Sequence, residues 1–282
     1  MQYKIGNRVF DFSSEAYVMG VLNVTPDSFY DGGRYYGPQS AIRRAKDIAS
    51  DGADILDVGG ESTRPGAKLV TEEEELERVI PVLERLSKDE YPLPISIDTY
   101  KPRVAEEACK RGAVIINDIS GAGYDPSIID VAKKYNTALI INHIKGLPKT
   151  MHTENPEYEN VVNEIIEYFE KKIDLCLSKG FSKIILDPGI GFSKTTLHNL
   201  EVIKNIKKIK KLGYPVLIAL SRKRFIGDIL KKPPEERLFG TLAANSIAVF
   251  NGANIVRAHD VKETVDIVKV SFAISKSLKY KI

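Results

Sequence analysis

The stretch Arg111-Gly112-Ala113-Val114-Ile115-Ile116-Asn117-Asp118 carries the fold in miniature. A helix ends at a glycine, the residue that takes up the left-handed backbone of a helix terminus at little steric cost. A short β-branched run follows, apolar on both faces as a buried parallel strand must be, and then two polar residues. The phrase of helix end, glycine and strand recurs at Asp51-Gly52-Ala53, Lys179-Gly180-Phe181 and Asn251-Gly252-Ala253. Its copies stand roughly two strand-helix units apart, which marks a repeated supersecondary unit.

Outward from that stretch, eight apolar runs centre on Val18-Leu22, Ile55-Val58, Ile95-Ile97, Val114-Ile116, Ala138-Ile141, Ile184-Leu186, Val216-Leu220 and Ile255-Val256, with longer amphipathic segments between them. Such alternation predicts a parallel sheet with helical crossovers. Eight units favour closure into a (β/α)8 TIM barrel over one Rossmann half with a second domain. The clearest helix follows Thr71, where Thr71 and Glu74 form a capping-box pattern ahead of Leu76, Ile80, Leu83 and Ser87. Tyr3 to Phe12, with Gly6-Asn7 between two β-like pieces, reads as a short N-terminal hairpin placed to plug the barrel's N-terminal end. No linker or low-complexity stretch divides the rest, so residues 1–282 are read as a single domain.

Composition narrows the function classes. A chain of 282 residues, 43% hydrophobic, can bury a full-sized core. Forty-one basic against thirty-eight acidic residues leave a formal charge of +3, too small to imply a nucleic-acid surface. The Lys204 to Lys211 run is read as a solvated helix face. The two cysteines, Cys109 and Cys176, form no C-x-x-C pair and suggest neither a disulfide framework nor a thiolate zinc site. No apolar run approaches the roughly 20 residues of a membrane helix, and the N-terminus lacks a signal core, so a cytoplasmic protein is expected.

In such a barrel, function sits at the C-terminal ends of the strands. Following the apolar runs come Asn23, Glu61-Ser62-Thr63-Arg64, Asp98, Asn117-Asp118, His143, Asp187, Ser221-Arg222-Lys223 and Arg257-Ala258-His259. Buried polarity on this scale needs compensating partners or a ligand. Asp98, Asn117 and Asp187 suit the edge of a polar heterocycle, while Arg64, Lys223 and Arg257, with His259, suit phosphate. A ring joined to a phosphate ester is implied. Magnesium would complete the anion site, since it prefers a few oxygen ligands and substrate phosphates, and Asn23 offers an amide oxygen. No convincing Ser-His-Asp or Cys-His set occurs.

Asn23-Val24-Thr25-Pro26-Asp27-Ser28-Phe29, Gly59-Gly60-Glu61-Ser62-Thr63-Arg64-Pro65-Gly66, Ser96-Ile97-Asp98-Thr99, Ile116-Asn117-Asp118, Asp187-Pro188-Gly189-Ile190-Gly191-Phe192 and Ser221-Arg222-Lys223 closely resemble, in order, the signature segments of the dihydropteroate synthases. The resemblance implies a pterin-binding barrel that expels pyrophosphate from a pterin methylene and lets 4-aminobenzoate attack. It assigns Asp98, Asn117, Asp187 and Lys223 to the pterin, and Asn23, Arg64, Arg257 and His259 to the pyrophosphate with Mg2+ at Asn23. Arg64, Lys223, Arg257 and His259 would then carry the chemistry. Phe29, Thr63 and Pro65 are assigned to the aminobenzoate ring, on loops Thr25 to Gly37 and Ser62 to Lys68 that act as lids. The resemblance also implies a homodimer through C-terminal helices, with which Val261, Val265, Val268 and Phe272 are compatible, although core packing explains these positions equally well. No nucleic acid or membrane is expected as a partner.

Some positions depart from that pattern. His143 follows Asn142 where relatives commonly have Met-His, Ser193-Lys194 stands for the commoner Gly-Lys, and Arg224 replaces a serine near the expected aminobenzoate carboxylate. His152 and His198 show no metal-ligand spacing and are read as surface residues. Two other readings share the barrel: a pterin domain presenting a methyl group to a corrinoid protein, and a silent pterin-binding scaffold. Neither needs the Asn23 to Phe29 segment or the cations Arg64, Arg257 and His259.

Overall fold

The structure is a computed structural model and describes residues 1–25, 38–62, 69–146 and 157–276. Strands β1 (Gln2–Ile5) and β2 (Arg8–Asp11) form the expected antiparallel hairpin, turning at Gly6 with φ +57°. The remaining strands are β3 (Tyr17–Asn23), β4 (Ile55–Gly59), β5 (Ile95–Asp98), β6 (Ala113–Asp118), β7 (Ala138–Asn142), β8 (Ile184–Asp187), β9 (Leu217–Ala219) and β10 (Ile255–Ala258). They pair in parallel in the order β8-β7-β6-β5-β4-β3-β10-β9. A single bridge, Leu186 to Val216, joins β8 to the segment entering β9 and brings the sheet round to a nearly closed barrel. The strands agree with the apolar runs read from sequence. Gly52, Gly112, Gly180 and Gly252, the four glycines of the recurring phrase, all have positive φ.

Helices α1 (Pro38–Ser50), α2 (Glu72–Lys88), α3 (Pro102–Lys110), α4 (Ile128–Lys134), α5 (Val161–Ser178), α6 (Thr196–Lys204), α7 (Ile206–Lys210), α8 (Arg224–Leu230), α9 (Leu238–Phe250) and α10 (Val261–Lys276) wrap the sheet. Alternation along each strand divides the apolar residues into two sets. Outward residues such as Leu56, Ile97 and Leu139 pack with the helices, whereas Met19, Ile55, Ile115, Ile140, Ile185, Leu217 and Ile255 fill the barrel's interior. The hairpin closes this interior from below: Tyr3, Ile5, Phe10 and Phe12 belong to the same cluster, and Phe10 meets Tyr17 edge-on at 4.8 Å.

Several expectations are corrected. Thr71 caps α2 by accepting from the Glu74 backbone, but the Glu74 carboxylate turns to Arg78 instead of back to the cap. The buried face of α2 is Glu75, Val79, Val82, Leu83 and Leu86, so Ser87 is exposed and a charged residue points inward. For Val261, Val268 and Phe272 it is the core-packing reading that holds, since all three are buried in the barrel wall. Lys204, Lys207, Lys208 and Lys211 are exposed as expected, yet Lys210 tucks in against Asn254 Oδ1 and the Tyr214 carbonyl, and burial pulls its ammonium down to about 8. His198 is half-buried and completes a capping box with Thr195 at the start of α6; His152 lies outside the described residues. Among those described, no helix is long and apolar enough to cross a membrane.

Candidate active site

The alternation that sends Ile55, Ile115, Ile140, Ile185 and Ile255 into the barrel also turns inward the polar residue two positions on. These are Asp57, Asn117, Asn142, Asp187 and Arg257, joined by Ser96 and Asp98 of β5 and by Asn23 of β3. Sequence-distant groups thus meet at one end because eight parallel strands all finish there.

Arg257 binds the group together. Its Nε donates to Asp57 Oδ2 at 2.6 Å and its Nη2 to Asp98 Oδ2 at 2.7 Å, while Asn117 Nδ2 donates to Asp57 Oδ2 at 3.1 Å. Burial works against the charge on Arg257, but Asp57 and Asp98 more than offset it and hold it above its ordinary range. Burial pushes Asp98 up to about 7 despite the pull of Arg257. Asp187, 3% exposed, is raised for the same reason against the pull of Lys223, and it accepts the Gly189 backbone N–H at 2.8 Å. Lys223 stands at the N-terminal boundary of α8 without capping it, donates to the Ile190 carbonyl and lies 4.7 Å from the centre of the Phe192 ring; burial lowers it to about 8. Among the described residues, four buried atoms on the inward strand positions of this end have no hydrogen-bond partner, Asp57 Oδ1, Ser96 Oγ, Asn117 Oδ1 and Asn142 Oδ1, and Glu75 Oε1 of α2 is a fifth. Native interiors rarely tolerate such a cluster without a ligand or water to satisfy it.

Of the residues named from sequence, Asp98, Asn117, Asp187, Lys223 and Arg257 come together directly, with Asn23 at the neighbouring end of β3. His259 stands beside them, its Nδ1 3.0 Å from Ser221 Oγ. Arg222 turns away to Asp260, with contacts of 2.7 and 2.9 Å, and the Arg224 side chain is 90% exposed beside Asp228. Asp118 is a structural turn residue whose two oxygens accept from Ser120 N and Ala122 N. Phe29, Thr63, Arg64 and Pro65 lie outside the described residues.

His143 is buried, and its Nδ1 sits 2.9 Å from Lys194 Nζ; desolvation, then the Lys194 charge, keep it far below the ordinary histidine range and therefore neutral. Lys194 also donates to the carbonyls of Gly189 and Phe192, tying the loop after β8 to the end of β7. Ser193 holds a left-handed φ of +46°, where glycine would be relaxed, and its Oγ donates to the Lys145 carbonyl at 2.7 Å.

Two features are not apparent from the polar residues that follow each strand, although Glu61 is among those residues. Asp57 lies inside β4, one inward position below the strand's end, though a carboxylate within Ile55-Leu56-Asp57-Val58 was its signal. The other is a buried triad at the top of β4 and β5, where Lys101 Nζ lies 2.5 Å from both Glu61 Oε2 and Glu75 Oε2. Burial alone would lower Lys101, but Glu75 and Glu61 leave it raised; Glu75 is itself raised, chiefly by burial. Nothing local in sequence joins these three residues.

The family described as pterin binding enzyme matches residues 19–259. A dihydropteroate synthase from Synechocystis sp. is 45% identical over 273 residues, covering 96% of this chain and 94% of the relative. Among solved structures, a Yersinia pestis dihydropteroate synthase in complex with a sulfonamide drug superposes with a TM-score of 0.90 at 38% identity, covering 99% of this chain and 100% of that one. A Xanthomonas albilineans dihydropteroate synthase with 4-aminobenzoic acid gives the same TM-score and identity, with 99% of each chain covered.

Proposed function

The chain belongs to the dihydropteroate synthase family, a transferase family of pterin-binding barrels, and from that premise we propose how its mouth works. It joins 6-hydroxymethyl-7,8-dihydropterin pyrophosphate to 4-aminobenzoate, giving 7,8-dihydropteroate and pyrophosphate, within a single domain spanning residues 1–282. The observation that carries this reading is Arg257 clamped between Asp57 and Asp98 beside the unpaired Oδ1 of Asn117. It is a desolvated set of acceptors and one fixed cation, shaped for a ring with several N–H groups and an anionic tail.

Asp98, Asn117, Asp187 and Lys223 hold the pterin, since carboxylates accept from the amino-pyrimidine edge and the ammonium serves carbonyl and ring nitrogen. Asn23, Arg64, Arg257 and His259 receive the pyrophosphate. Arg257 spends Nε and Nη2 on Asp57 and Asp98, which leaves other donors of its five for the departing oxygens. The methylene C–O bond breaks with its electron pair leaving on pyrophosphate, the arylamine nitrogen forms the new C–N bond, and that nitrogen then gives up its proton. Preorganised cations at the leaving group supply the stabilisation, so no protein nucleophile is needed.

Magnesium fits as an ion carried mainly by the substrate. Among the described residues no three His, Cys, Asp or Glu side chains gather, but the Asn23 amide and the unpaired Asp57 Oδ1 belong to adjacent strands facing the same mouth. Asn23 and Asp57 would hold the ion there, where it would supply positive charge beside the departing pyrophosphate. Phe29, Thr63 and Pro65 contact the aminobenzoate ring, so their substitution weakens sulfonamide inhibition more than pterin binding; equal loss of both contradicts this.

We place the enzyme in the cytoplasm, where its two buried free thiols, Cys109 and Cys176, stay reduced. We assign a homodimer contact to the exposed apolar residues Phe239, Ile247 and Phe250 of α9 with Val270 and Ile274 of α10. Light scattering that gave a monomer at micromolar concentration would remove that assignment.

The test is to incubate purified protein with the pterin pyrophosphate, 4-aminobenzoate and magnesium, following dihydropteroate by mass and pyrophosphate in the same samples, with and without EDTA. Product that requires both substrates and is lost with EDTA supports the reading. Pyrophosphate release only with another arylamine reassigns the acceptor, and pterin binding without release overturns the catalytic reading.

A further inference from the structure

Asn142 ends β7 at the next inward position after Ala138 and Ile140, which line the barrel's interior. It is 2% exposed, and its Oδ1 has no hydrogen-bond partner among the described residues. Its neighbour across the sheet is Asp187 of β8, and on the other side Asn117 of β6 stands against Ile140. The amide thus completes an arc of polar groups running from Asn117 to Asp187.

Its position is fixed. The Asn142 carbonyl accepts the Tyr168 hydroxyl at 3.1 Å, and the loop after β8 presses against its side chain. Gly189 has φ +67°, and a Cβ there would come within 2.6 Å of Asn142 Oδ1 and 2.0 Å of the His143 carbonyl. Only glycine lets that loop pass, and the amide oxygen has no room to swing aside toward it. An unpaired amide is not by itself a ligand marker, since Asn245 in α9 has both amide atoms unpaired. Asn142 differs by its place in a mouth where Asp57, Ser96 and Asn117 also hold unpaired atoms facing the same space.

We propose that Asn142 is a further pterin-binding residue, its Oδ1 accepting a ring N–H of the bound heterocycle between Asn117 and Asp187. This rests on the pterin reading given above and extends it to a residue that this reading does not use. A dihydropterin offers N–H groups on its amino substituent, N3 and N8, more donors than one carboxylate can accept. An acceptor already stripped of water gains a partner on binding and loses little.

The experiment is calorimetric titration of wild type, Asn142→Leu and Asn142→Ala with 6-hydroxymethyl-7,8-dihydropterin and with its oxidised form, which lacks the N8–H. Thermal unfolding and the KM values for both substrates are measured beside it. The leucine variant should keep or raise its unfolding temperature, because it removes an unpaired buried amide, while dihydropterin affinity falls roughly tenfold. The KM for 4-aminobenzoate should be unchanged. Loss confined to the dihydro form identifies N8–H as the donor, and equal loss for both forms identifies the amino-pyrimidine edge. Unchanged pterin affinity in either folded variant overturns the proposal. Wild-type protein that bound neither pterin would overturn the pterin reading itself, an outcome distinct from a wild type that binds and variants that bind equally well.

Discussion

The two ends of the barrel are built on opposite rules. At the lower end the hairpin packs Phe10 and Phe12 against Tyr17, and the polar tip of Tyr3 is satisfied by the Ile184 carbonyl at 3.1 Å. At the upper end four buried polar atoms of the inward strand positions lack partners among the described residues, and Asp98 and Lys223 are held away from their ordinary ionisation by burial. The same alternating strands supply both, so the difference lies only in which residues occupy the last inward positions. Stability is concentrated where the surfaces are complete, and binding capacity where they are left incomplete.

The sharpest way to break this comparison is to damage each end separately. Phe10→Ala should cost about 3–5 kcal/mol of unfolding free energy, as large aromatic truncations do, with kcat per folded molecule unchanged. Denaturant titration beside a steady-state assay checks it, and a fall in kcat would mean that the ends are coupled. Lys223→Met should do the reverse, lowering kcat/KM by about a hundredfold to a thousandfold, the scale of a lost electrostatic contact in a closed site. Its unfolding free energy should not fall, because the substitution removes a cation whose charge burial disfavours.

A smaller effect follows from pH. A carboxyl raised in the folded state contributes stability that is present below its unfolded value and lost as pH rises through the folded one. For Asp98 that window runs from about 4 to about 7. Asp98→Asn should therefore become progressively more stable relative to wild type as pH rises through the window, while pterin affinity of the wild type strengthens over the same range as the carboxylate forms. Urea unfolding and calorimetry across this range would show opposite slopes; parallel slopes would break the contrast between the ends. Smallest is Thr71→Ala, which loses the cap on α2 and should cost about 1 kcal/mol without altering kcat.

What the sequence revealed follows the same division. Strand ends, the hairpin and the four glycine breaks were legible because each depends on a local pattern: apolar periodicity, a turn, a left-handed residue. Asp98, Asn117, Asp187, Lys223 and Arg257 were legible as strand-end residues once the barrel was assumed. Asp57 was missed because it lies inside its strand, and its burial makes sense only with Arg257, two hundred positions away. The inward turn of Glu75 was missed for a similar reason: the face of α2 follows from a partner on the next strand-helix unit, Lys101, which no helical period contains. The four C-terminal positions that suited a dimer face and core packing equally show the converse. Valine and phenylalanine at helical spacing say that a face is buried, but not against what, and here three of them belong to the barrel wall.

The hairpin that closes the lower end leaves the barrel a tube with one door. Water driven out of the upper opening by an incoming heterocycle cannot seep back from beneath, since Phe10 and its neighbours have stopped that route. The ligand therefore acts as its own cork, and every charge around it feels a drier medium from the moment it seats, without any movement of the barrel itself.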